Sequence, residues 1–438
     1  MFKLSKKLTL TLFSCFIALT LTACNSSEEN NKQTSSTQET TTQPSQEKEK
    51  TYTIGGMYTY NYNDGRYADW GDFALQAAYM ALNEINASNM LKYKLQMPEN
   101  LVKDYHCWPD EAATMTNEIL SQNVLAITGV DCSGPAAIIA KETEKQKVPA
   151  ISYGANASEL SSPEEYPYFI RVVTPSETYD GYLVALAAHL NIKDLVFFHT
   201  TDPWGLGAKK VINEYANKYN INIVETISYD RGTSVEDMKK LIAHFKEKNY
   251  QNFIITAPTP DTVTVFKSFG ELDIKNENTR IFAGEMISAD ETPDTMKGCQ
   301  GYIAPMTKLP ESAALTNFKT QFEKYINKKV VPTSKAFSYA AISYDHIYAI
   351  AHAIKALEEQ GIEVTNETLM DSLRKVDFQG ITGRLAFTPN TNDRAYMHVT
   401  FYNNQGYTKE NTVNFQEVGS FNPETNELIF DETKVKWQ

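Results

Sequence analysis

The sequence predicts an α/β protein built as two doubly wound, Rossmann-like lobes with parallel sheets. Short apolar runs that stop at glycine recur along the chain, among them LAITG at 125–129 and VPAISYG at 148–154, as buried strands do. Stretches with apolar residues at helical spacing lie between them, so strand and helix alternate as in βαβ units. The alternation runs through two cycles in 438 residues, a length that suggests two or more domains.

Residues 1–24 read as an export signal. Lys3, Lys6 and Lys7 form a basic start, and 8–21 form an apolar core too short for a comfortable membrane span. The segment ends in Leu21-Thr22-Ala23-Cys24, which fits the bacterial lipobox, so Cys24 is expected to carry lipid and become the first mature residue. An ordinary signal peptide with a chance cysteine is the alternative. Residues 25–50 are almost wholly Ser, Thr, Gln, Asn, Glu and Lys and cannot bury apolar surface. A disordered tether with a mean reach of roughly 25–30 Å is expected there. The expected location is the extracytoplasmic face of a bacterial cell membrane.

The folded part opens with a strand in TYTIGGMY at 51–58 and an aromatic, polar loop, TYNYNDGRYADWG. Helix 72–87 follows, with Phe73, Ala77, Met80, Ala81 and Ile85 on one stripe. A strand around 95–105, a helix over 111–122, the strand at 125–129, a helix over 136–147 and the strand ending at Gly154 complete half of a doubly wound domain. Ser133 stands where an N-cap belongs, with Pro135 near the first helical position.

Strand 168–173 leaves the first lobe. The second cycle runs helix 177–191, strand 195–199, helix 207–220, strand 221–229, helix 235–249, strand 252–257, helix 260–270 and strand 280–284. A strand-like return at 301–305, helices 313–327 and 336–359, and closing strands at 380–387 and 396–403 follow. The tail from about 409 is polar, with short strand-like pieces TVNF and LIF. The expected division is 51–174 plus 307–384 for lobe 1, and 175–306 plus 385–438 for lobe 2.

Two strand ends, 130–133 and 153–157, emerge side by side on the carboxyl edge of the first sheet. Small residues with hydroxyls and amides at helix N-termini suit an anionic or zwitterionic ligand. Ser133 serving only as a cap is the plainer alternative. Cys107 and Cys132 both sit at strand-to-helix junctions on this edge, one βα unit apart, and an exported chain meets oxidising conditions. A disulfide is expected, worth roughly 3 kcal/mol for a loop of about 26 residues; two free, buried thiols are the alternative. Cys299 is expected to stay free and buried.

Catalytic and cofactor signatures are missing. The sequence has no G-x-S-x-G elbow, no P-loop and no dinucleotide glycine fingerprint, and none of its seven histidines forms H-E-x-x-H. Neither catalysis nor a cofactor nor a metal is expected. The net charge of -13 argues against nucleic acid as a partner. Two α/β lobes without a catalytic set favour ligand capture between them.

Several stretches together resemble type I periplasmic-binding proteins. The branch most similar is the branched-chain amino-acid binding proteins of ABC importers, related to the ligand domains of glutamate-type receptors. YADWGDFALQAAYMALNEIN resembles the family's aromatic-Gly loop and first helix, and DCSGPAAIIA its Cys-Ser helix start, with Cys107 where the partner half-cystine lies. VPAISYGANASELS with YPYFIRVVTPSETYDG resembles the second strand edge and first crossover. DPWGLGAKKVINEY resembles the D-x-x-Y-G helix entry with Trp204 in place of Tyr, and FQGITGRLAFTPNTND the closing G-x-x-G-x-x-x-F motif.

The resemblance implies two lobes joined by three crossovers, near 173–176, 303–307 and 384–393, with ligand held between them. It implies that Ser133, Gly154 and Asn156 hold a carboxylate, Asn standing where the family has Thr. It implies that a lobe-two acid, Glu285 or Asp290, meets an ammonium, and that Trp70 and Trp204 wall the pocket. The implied role is a membrane-anchored solute-binding protein that delivers a small ligand, an amino acid or similar zwitterion, to an ABC permease. A sensory domain that reports ligand to a separate membrane protein is the alternative, and an amidase-like enzyme lacks a visible nucleophile set.

Overall fold

Each strand of the first sheet is only three or four residues long, and its central members are buried on both faces, which is why they read as apolar or small throughout. The computed structural model describes residues 50–284, 300–395, 398–407, 413–422, 425 and 427–437, without the side chains of 176–178. The sheet order is Val102–Asp104, Gly55–Tyr58, Ile127–Gly129, Ala150–Ser152, Phe169–Arg171, all parallel. Helices Asp69–Ala87 and Lys335–Glu359 pack on one face, with Phe318, Phe322, Leu369 and Leu373 in the same core. Ala112–Leu120 and Ser133–Lys145 cover the other face through Ile119, Ala136 and Ile139. This is lobe 1.

Lobe 2 is built on a sheet of eight strands. Asn222–Tyr229, Asp194–Thr200, Asn252–Thr256, Arg280–Ala283 and Ile303–Thr307 run parallel in that order. Val399–Tyr407, Val413–Asn422 and Glu427–Phe430 then extend it antiparallel. The parallel strands obey the βαβ rule; the three closing strands pair antiparallel, which requires no crossover helix.

The structure refines several elements. TYTIGGMY splits, because Thr51–Thr53 pairs with Lys94–Gln96 in a small sheet of its own while Gly55–Tyr58 enters the main one. The helix expected from 207 starts at Pro203, where Asp202 accepts the Gly205 N–H and caps it. The helix expected over 235–249 is two pieces, Val235–Ile242 and Phe245–Lys248. A helix at Asn366–Leu373 was not foreseen; Thr365 and Thr368 form its capping box. The expected strand 380–387 is a hairpin, Asp377–Gly380 against Gly383–Ala386. The N–H groups of Ile381 and Thr382 at its turn donate to Asp345 at 3.0 and 2.8 Å.

The chain passes between the sheets three times: after Arg171, after Thr307 and after Ala386. The first two passages touch where the Thr174 and Thr307 hydroxyls lie 3.1 Å apart. The third is held by Arg171, which is fully buried. Its Nε donates to Asp393 at 2.6 Å, Nη1 to the carbonyls of Ala155 and Ala157, and Nη2 to Ser161. One guanidinium therefore joins the loop after Ala150–Ser152 to the third passage. Among the described residues no helix is long and apolar enough to cross a membrane.

Arg171→Met removes one partner of a buried pair and strands the other. A loss of about 3–5 kcal/mol in urea unfolding is expected; a loss under about 1 kcal/mol would show that the passage is held by other contacts.

Candidate functional site

Four adjacent strands of lobe 1 end around one carboxylate. Asp131, just past Ile127–Gly129, accepts the Thr59 N–H at 2.7 Å, the Thr59 hydroxyl at 2.9 Å, the Tyr153 hydroxyl at 2.9 Å and the Tyr105 hydroxyl. Thr59, Tyr105 and Tyr153 each follow another strand of the sheet. The Tyr105 oxygen in turn accepts the N–H groups of Asp131 and Cys132 at 2.8 and 2.9 Å. Burial lifts the Asp131 carboxyl to about 6, against the pull of those donors. The disulfide between Cys107 and Cys132, 25 residues apart, ties the same edge a second time, and the Cys107 N–H donates to the Thr59 hydroxyl at 3.0 Å.

Helix Ser133–Lys145 starts directly after this knot. Ser133 is its first residue and Cys132 its N-cap, so the hydroxyl does not cap the helix as the sequence suggested. The Ser133 oxygen accepts instead the N–H groups of Asn156 and Ala157 at 3.1 and 3.0 Å. That fills both acceptor positions and leaves the O–H proton as the bond it has still to make. Gly154 is required by packing: a Cβ there would lie 2.7 Å from the Asp131 carbonyl oxygen. The Asn156 side chain is nearly buried and faces the cleft.

The cleft encloses about 750 Å³, its mouth included. Trp70, Ser133, Gly154, Asn156 and Trp204 all line it, as do both disulfide cysteines. Glu285, Asp290, Cys299 and Cys24 lie outside the described residues. Trp70 donates its Nε1 to the Tyr62 hydroxyl at 3.0 Å and sits 5.6 Å from the Tyr339 ring. Trp204 stands on lobe 2 yet packs against the lobe-1 core, and its buried Nε1 has no hydrogen-bond partner among the described residues.

The sequence reading missed four charged residues here: Asp131, Asp202, Arg231 and Lys335. Asp202 was legible, since an Asp before Pro-Trp-Gly is a helix start. Its Oδ1 accepts from Thr200 and Gly205, and Oδ2 is left for another donor. Lys335 lies across the fold from Ser133 in sequence, and only helix packing brings it to the Trp70 ring, 4.7 Å from its Nζ. Burial pushes its ammonium down to about 7, against the pull of Asp69 and then Asp131.

Among the described residues, six helices present first-turn residues to the cleft: Trp70, Ser133, Tyr179, Trp204, Thr259 and Lys335. A helix N-terminus carries roughly half a positive charge and unpaired N–H groups. Lys335 lines the same cleft with two carboxylates, Asp131 already saturated and Asp202 half open, while the Arg231 guanidinium is engaged by Asp261 and the Cys107 carbonyl.

A site of this kind, set between two Rossmann-like lobes at the carboxyl ends of their strands, defines a ligand-binding module. The family model described as the receptor family ligand binding region matches residues 73–406. The chain belongs to that family, and its architecture is the type I periplasmic-binding fold. It is 26% identical over 365 residues to metabotropic glutamate receptor-like protein E of Dictyostelium discoideum, covering 80% of this chain and 43% of that protein. It is 23% identical over 375 residues to glutamate receptor 3.7 of Arabidopsis thaliana, covering 77% and 38%. It is 25% identical over 205 residues to the leucine-specific-binding protein of Salmonella typhimurium, covering 46% and 52%. The chain thus spans about half the length or less of these relatives.

Lys335 has a testable signature. Its folded pKa of about 7 lies below the ordinary 10.5, so between those values the unfolded chain holds more protons and stability rises with pH. The difference in unfolding free energy between wild type and Lys335→Met should climb from pH 7 to 9 by up to about 1.4 kcal/mol per pH unit. A flat difference would contradict the assignment.

Proposed function

We propose that the chain is a lipid-anchored, extracytoplasmic solute-binding protein that captures an α-amino acid between its lobes for an ABC permease. The observation that carries the ligand class is the convergence of helix N-termini, Ser133, Asn156 and Lys335 on one cleft. A carboxylate seated at Ser133 would take its O–H and the N–H groups of the first helical turn. The ammonium would be met from lobe 2, by Glu285 or Asp290 as the family resemblance implies, or by Asp202. Neither lobe alone satisfies both ends of a zwitterion, so binding and closure are coupled. Anchoring through Cys24 places the cleft near a permease.

A second reading has a specific observation behind it. Several relatives are receptors by name, so the cleft could report ligand to a separate membrane protein instead of handing it to a transporter. Uptake of a labelled amino acid by cells with and without the chain separates the two: transport requires that uptake fall on deletion.

A thermal-shift screen of amino acids, sugars and small anions tests the ligand class. A ligand at about 100 times its Kd stabilises by roughly 2.7 kcal/mol. Ser133→Ala should weaken amino-acid binding by about 1.5–3 kcal/mol, the range for a hydrogen bond to a charged group. Of Asp202→Asn, Glu285→Gln and Asp290→Asn, one should cost at least as much. A screen that returns only a neutral sugar, with affinity untouched by all four changes, would overturn the zwitterion model.

A further inference from the structure

Arg231 is anchored in lobe 2 and bonded in lobe 1. It sits in the turn after Asn222–Tyr229, where Gly232 adopts a left-handed φ of +77° and its N–H donates to Asp261 at 2.7 Å. The other Asp261 oxygen lies 3.4 Å from the Arg231 Nε. From that base the guanidinium reaches across the cleft. Its Nη1 donates to the Cys107 carbonyl at 2.9 Å, and its carbon lies 5.3 Å from the centre of the Trp108 ring. Cys107 is itself fixed by the disulfide and by Thr59. The Arg231 side chain is 13% exposed and the Asp261 side chain 4%, so this contact is largely removed from water.

These bonds exist only while the lobes are together. A charged donor at a carbonyl and a cation over an indole are both strengthened by exclusion of water. Both partners, the Cys107 carbonyl and the Trp108 ring, are groups of lobe 1 itself. We infer that Arg231 is the cross-cleft latch of this protein, a residue that sets how much of the population is closed whichever ligand is bound. The inference deepens the proposed function and rests on the reading of the cleft as a closing ligand site. A latch acts on affinity through the closed fraction: the apparent Kd is the intrinsic Kd divided by that fraction. It scales all ligands alike. An arginine that gripped the ligand would instead change their rank.

Hydrogen–deuterium exchange of the full-length chain in detergent tests the latch, with and without a saturating mixture of the twenty L-amino acids. The reporters are peptides around 155–162 and 203–210. They meet each other across the lobes, since a Cβ on Gly207 would approach the Ser158 nitrogen to 3.8 Å, and they do not touch Arg231. In Arg231→Met both should exchange about tenfold faster than in wild type, with or without the mixture. Arg231→Lys, which keeps a charged donor, should recover part of the protection. Trp108→Leu, on the opposite lobe, should move the same peptides in the same direction. Each amino acid that binds wild type should bind Arg231→Met about tenfold more weakly, in the same rank order.

Unchanged exchange at both peptides in folded Arg231→Met overturns the latch, as does faster exchange confined to 105–110 and 228–234. A loss of binding for some amino acids and not others overturns it in favour of a ligand contact. If the mixture protects neither protein, the amino-acid reading has failed, and the comparison of the two proteins without ligand still decides the latch.

Discussion

The constraint on which the site depends is the placement of one buried carboxylate. Asp131 is taken out of water among four strand ends, and a charge so placed is tolerated only when donors meet it from several sides. Thr59, Tyr105 and Tyr153 supply them, one from each neighbouring strand end. A sheet edge that would otherwise be four loose loop starts becomes one fixed surface. The Cys107–Cys132 bond and the close approach of Gly154 to the Asp131 backbone belong to the same arrangement. A larger residue at 154 or a missing hydroxyl at 105 or 153 would reposition the start of helix Ser133–Lys145.

Everything that faces the cleft follows from that fixed edge. Ser133 can spend both acceptor positions on the next loop because that loop is held to Arg171 from behind. Its proton is then left to donate to whatever enters the cleft. Lobe 2 brings the complementary wall: Trp204 against the lobe-1 core, the half-open Asp202, and Arg231 across the rim. The division of labour is physical. Lobe 1 is rigidified by buried polar bonds, and the lobes are joined by contacts that can be broken and remade. A binding protein that must release its ligand needs both.

Much of the architecture was legible in the sequence. The alternation of apolar runs and helices gave the two lobes, because a parallel strand buried on both faces reads as apolar throughout and stops at glycine. Ser133 stood out at a strand-to-helix junction, the family resemblance pointed to Trp70, Gly154, Asn156 and Trp204, and all five line the cleft. What stayed hidden depends on tertiary contact. Lys335 reaches Trp70 only because two helices far apart in the chain, Asp69–Ala87 and Lys335–Glu359, pack together, and no local pattern encodes that. Arg231 follows an ordinary strand and reads as a solvated turn residue. Asp131 looks like a strand-end acid until its four donors are seen. Capping, the plainer alternative for Ser133, does not hold, and the sequence could not show why: the loop at 156–157 whose N–H groups it accepts lies 23 residues away. The antiparallel tail was under-read for a similar reason: its strands are half polar and are defined by pairing, the first with Ile303–Thr307 and each later one with the strand before it.

The central claim is that the cleft seats a carboxylate at converging helix N-termini. The most direct measurement is calorimetric titration of the best-bound amino acid beside its α-amide and its decarboxylated amine. The amide keeps the ammonium and side chain but removes the negative charge; the amine removes the whole group. The account predicts that each binds at least tenfold more weakly than the acid, the worth of one charge-assisted hydrogen bond. Equal affinity for the acid and the amide would contradict it.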